Sequence, residues 1–67
     1  MPVITIDIWT GRTAKQKEKL IRDVTGAVTK SLGVAKEHVT VIIKEIPKGN
    51  WGTAGEVASG SRRQSNS

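Results

Sequence analysis

The sequence predicts an α/β fold: a single βαβ unit with parallel strands, followed by a short C-terminal hairpin or turn segment. Three observations predict it. PVITIDIW alternates like a strand, VTVIIKEI is dense in β-branched residues, and a capped amphipathic helix lies between them. A crossover of that length joins parallel strands with right-handed sense.

In the first strand, Ile4, Ile6 and Ile8 form one apolar face, while Val3, Thr5 and Asp7 form a mixed face that ends in Trp9. Pro2 stands at its head. Inside a chain proline has no backbone N–H and suits a strand start. If Met1 is removed, the same residue carries a free secondary amine, able to act as base or nucleophile. Both readings stand at this point.

Gly11, in the triplet TGR, breaks the strand. Thr13 and Gln16 then have the spacing of a capping box, with Thr13 as N-cap. Leu20, Ile21, Val24, Ala27, Val28, Ser31 and Leu32 recur as an apolar stripe of about five turns. Gly33 is the left-handed stop. After the connector VAKEH, Val39, Val41 and Ile43 point to one face of the second strand. Thr40, Ile42, Lys44 and Ile46 point to the other. Both faces are largely apolar, yet one helix covers only one face of a two-stranded sheet. The second face requires another chain. PKGNWGTAGEVASG is punctuated by Gly49, Gly52 and Gly55 and reads as turns or a hairpin. Residues 1–60 are expected to form one domain and 61–67 a polar, frayed tail.

The chain has 67 residues, too few to bury a large core alone. It has no cysteine, which excludes disulfides and thiol chemistry. A lone histidine, His38, argues against a metal site. Self-association is the remaining route to stability. No run approaches the roughly 18 apolar residues of a membrane span, and no secretory leader is evident, so a cytoplasmic location is expected. The net charge of +5 favours anionic partners. Lys15, Lys17 and Lys19 do not share a helix face, so they read as solvated surface and not as a nucleic-acid stripe.

PVITIDI, TGRTAKQKEKLIRDVTGAV, VTVIIKEI and KGNWGTAGE together make the chain resemble the 4-oxalocrotonate tautomerase family, over residues 2 to about 63. The resemblance implies a βαβ protomer that dimerises, with three dimers forming a homohexamer. It also implies cofactor-free enol–keto isomerisation of a small unsaturated 2-oxo acid such as 2-hydroxymuconate. Pro2 would then be general base and acid. Arg12, supplied by a neighbouring chain, would bind a substrate carboxylate through its planar fork. Trp51 would line the pocket and help keep the amine uncharged. Trp9 falls where the family has an aliphatic residue, so it either lines the pocket or packs at an interface.

Thr40 departs from the pattern. The family places a second arginine here, which binds the proximal carboxylate and polarises the 2-oxo group. Threonine offers one neutral hydrogen bond, and losing such a group costs a factor of about 10²–10³ in rate. Lys44 lies on the same face but roughly 13 Å along the strand at about 3.3 Å per residue. A cation from another chain is the candidate replacement, and Lys36, Lys48, Arg62 and Arg63 are the choices. The alternatives are a proline-dependent hydratase, dehalogenase or decarboxylase on the same scaffold, or a basic binding module without chemistry.

Overall fold

The computed structural model describes residues 1–59. The expected tail at 61–67, with Arg62 and Arg63, lies outside the described residues. Strand β1 (Val3–Trp9) leads into helix α1 (Ala14–Leu32), and strand β2 (Thr40–Ile46) follows a short 3-10 turn, Lys36–His38. A second such turn, Lys48–Asn50, precedes two short strands, β3 (Gly52–Thr53) and β4 (Glu56–Val57).

The helix ends are built as the sequence predicts. The Gln16 N–H donates to Thr13 Oγ1 at 3.1 Å, and the Thr13 N–H donates to Gln16 Oε1 at 3.0 Å. This reciprocal box satisfies two donors that the first helical turn leaves without partners. At the other end Gly33 adopts φ 69°, and its N–H donates to the Thr29 carbonyl at 2.9 Å. A side chain there would be strained, so glycine is the economical stop.

β1 and β2 pair in parallel, with Val3 opposite Thr40, Thr5 opposite Ile42, Asp7 opposite Lys44 and Trp9 opposite Ile46. This register puts Ile4, Ile6 and Ile8 beside Val41 and Ile43 on the face under α1, where all five are half-buried. The opposite face carries Val3 at 56% and Ile42 at 43% exposed. Among the described residues no side chain is fully buried. The protomer therefore has no closed core among the described residues, and the second sheet face is uncovered.

The helical stripe is narrower than its sequence period suggests. Leu20, Val24 and Val28 meet the sheet, whereas Ile21 and Leu32 stay 39% and 62% exposed. Two strands about 4.8 Å apart offer room for one helical ridge and not for a broad face. Thr25 and Thr29 instead return their hydroxyls to the helix, donating to the Ile21 and Gly26 carbonyls. The Lys17 Nζ–Glu45 Oε1 ion pair, at 3.1 Å, ties the first turns of α1 to the end of β2.

The segment expected to form turns or a hairpin forms a short hairpin. Gly52 pairs with Val57 and Thr53 with Glu56, and the two-residue turn uses Ala54 at φ 55° and Gly55 at φ 82°. Positive φ at both turn positions matches the right-handed strand twist. The Ala58 N–H closes the ladder onto the Trp51 carbonyl at 2.7 Å.

Candidate active site

Pro2 lies half-buried at the entrance of β1. Its carbonyl accepts from the Thr40 N–H at 3.1 Å, so the two residues are backbone neighbours at one end of the sheet. Met1 precedes it and is 87% exposed. While Met1 is attached the Pro2 nitrogen is an amide without basicity.

The other expected site residues collect at the opposite end. Trp9 closes β1, and Arg12 follows Gly11, which adopts φ 121° to turn the chain toward the helix. Arg12 borders a groove of about 240 Å³ with Ile8, Gln16, Lys17 and Leu20. Ile8 and Leu20 are its apolar lining, and Lys17 on its wall is paired with Glu45. Arg12 makes no ion pair among the described residues, so its guanidinium fork is available to an anion.

Trp51 reaches this end as well. Its ring meets that of Trp9 edge to face, with centroids 5.8 Å apart and planes at 75°. The Lys48 ammonium lies over the Trp9 ring, 4.6 Å from its centroid. In the sequence Lys48 is one of four candidate cations, and nothing local to it places it on Trp9.

These two groups of residues do not meet within one protomer. From Pro2 to Trp9 the strand rises about 23 Å, at about 3.3 Å per residue. An arginine just past Trp9 cannot contact a ligand at Pro2 of its own chain. Pro2 and Thr40 thus lie at one end of the sheet, and Arg12, Trp9 and Trp51 at the other. Among the described residues no group of three histidine, cysteine or acidic side chains is placed to hold a metal ion, and no helix is long and apolar enough to cross a membrane.

The family model for tautomerase enzymes matches residues 2–60. The chain belongs to the tautomerase family. A 2-hydroxymuconate tautomerase of Pseudomonas putida is 48% identical over 63 residues, spanning 94% of this chain and 100% of its own length. A probable tautomerase of Lactiplantibacillus plantarum is 39% identical over 59 residues, 88% of this chain and 92% of its own. Among solved structures, a 4-oxalocrotonate tautomerase isozyme from Methylibium petroleiphilum superposes with a TM-score of 0.84 at 41% identity, covering 87% of this chain and 94% of that one. A heterohexameric 4-oxalocrotonate tautomerase from Chloroflexus aurantiacus superposes with a TM-score of 0.88 at 29% identity, covering 92% and 100%. As a tautomerase the chain is an isomerase built on one βαβ unit and a terminal hairpin. The expected site residues lie at opposite ends of the protomer, and one sheet face is open.

Proposed function

We propose that this tautomerase, after loss of Met1, ketonises a small unsaturated 2-oxo acid such as 2-hydroxymuconate in the cytoplasm, as a homohexamer whose active sites are shared between protomers. The observation that carries the reading is the 48% identity to a 2-hydroxymuconate tautomerase along 94% of the chain.

In this mechanism the Pro2 secondary amine takes the proton of the enol hydroxyl. The O–H pair released forms the C=O bond, and the π pairs of the conjugated chain shift along it to the carbon that will be protonated. The protonated amine then returns a proton to a chain carbon, restoring the base. An ordinary α-amino group titrates near ~8 and is mostly protonated at neutral pH. Enclosure by apolar neighbours and nearby cations both lower that value, which is the role assigned to Trp51, Trp9 and Arg12 of an adjoining protomer. Arg12 grips a carboxylate in two parallel hydrogen bonds and fixes the chain's direction.

The neutral Thr40 beside Pro2 supports a second reading, proline-dependent hydration or decarboxylation of an unsaturated acid by a charged Pro2. The test is the ultraviolet decay of 2-hydroxymuconate with protein whose intact mass shows Met1 removed, next to Pro2→Ala. The expected loss in the variant is about 10²-fold or more, the usual worth of a positioned general base. Equal rates in both proteins would refute the proline base. Turnover by a Pro2 found charged at neutral pH would favour the second reading.

A further inference from the structure

We propose that Lys48 is the second carboxylate anchor of this site, supplying the cation that Thr40 does not. The inference rests on the tautomerase reading above and adds a binding residue to it.

Lys48 is tied to the pocket aromatics in two ways. It opens the turn that delivers Trp51, and the Trp51 N–H donates to the Lys48 carbonyl at 3.1 Å. Its ammonium lies 4.6 Å from the centroid of the Trp9 ring, which in turn meets the edge of Trp51 at 5.8 Å. Backbone and side chain therefore both hold this cation on the rim of the indole pair, at the Arg12 end of the sheet. A cation over an aromatic face keeps its charge, and an ammonium has three donors, so N–H groups remain for a carboxylate. The tryptophan at position 9 acquires a purpose on this account: it is the platform that restrains a flexible lysine.

The other cations among the described residues are committed or placed elsewhere. Lys17 pairs with Glu45 and Lys19 with Asp23. Lys15 and Arg22 border a shallow groove on α1 beside Glu18. Lys44 stands opposite Asp7 at mid-sheet. Lys30 sits in the last turn of α1. Lys36 is the rival, because its turn lies just before Thr40 and hence at the Pro2 end. No ion pair or aromatic face holds it among the described residues.

The experiment measures binding, so it does not depend on turnover. Trp9 and Trp51 are the chain's only tryptophans, and it has no tyrosine, so indole fluorescence reports directly on this cluster. The probes are muconate and sorbate, which share a conjugated six-carbon chain and differ in carrying two carboxylates or one. Wild-type protein is expected to bind muconate about tenfold more tightly than sorbate, the scale of one charge-assisted contact. Lys48→Gln should remove that preference while leaving sorbate affinity unchanged, Lys48→Arg should keep it, and Lys36→Gln should keep it. A merely structural role for Lys48 would weaken both probes alike and would overturn the proposal. So would a preference that survives Lys48→Gln, one lost in Lys36→Gln instead, or one missing from wild type. A Lys48-dependent preference in a protein that leaves 2-hydroxymuconate untouched would uphold the anchor and refute only 2-hydroxymuconate as the substrate.

Discussion

Trp9 and Trp51 meet edge to face at 5.8 Å, joining the last residue of β1 to the residue that enters the terminal hairpin. The contact connects parts of the chain more than 40 residues apart and fixes the hairpin against the sheet. A double-mutant cycle with Trp9→Leu and Trp51→Leu should show a favourable coupling of about 0.5–1.5 kcal/mol, the range for such aromatic pairs. Denaturant unfolding at one protomer concentration measures it. Strictly additive losses would mean that the rings only share a neighbourhood.

Gly26 lies inside α1 with helical backbone, and a Cβ added there meets nothing within 4 Å. Glycine costs about 1 kcal/mol relative to alanine in such a position. Gly26→Ala should therefore raise stability by up to that amount, read as a higher denaturant midpoint with an unchanged slope.

Asp23 accepts a hydrogen bond from the Lys19 ammonium one helical turn earlier. That bond, opposed by desolvation and aided by the charges of Lys19 and Arg22, holds its carboxyl below the usual carboxylate value. A carboxyl lowered in the folded state contributes stability above its unfolded pKa and loses it as the pH falls through the folded one. An NMR titration should find Asp23 titrating below an ordinary aspartate, and Lys19→Met should move it upward. The effect on stability will be small, because both side chains are solvated and the pair is screened by salt.

Much of this architecture was legible in the sequence because it is set locally. The Thr13–Gln16 box and Gly33 act on backbone groups within four residues, so spacing alone identifies them. The strand alternation of Ile4, Ile6 and Ile8 likewise assigns a face before any partner is known. The width of the helical contact was not legible: whether Ile21 and Leu32 are covered depends on how many strands lie beneath α1. Nor was the seat of Lys48, since an ammonium finds Trp9 only after β1 and the late turn have been brought together. The separation of Pro2 from Arg12, by contrast, follows from the length of β1 and needs no side-chain detail.

Subunit mixing tests the shared site most directly. Pro2→Ala and Arg12→Ala chains, each purified alone, should both be poor at ketonising 2-hydroxymuconate. Co-expressed so that they assemble together, they should regain activity. Random assortment in a symmetric assembly leaves about a quarter of the sites with an intact Pro2 from one chain and an intact Arg12 from another. Mixed assemblies no more active than either parent would contradict a site built across protomers.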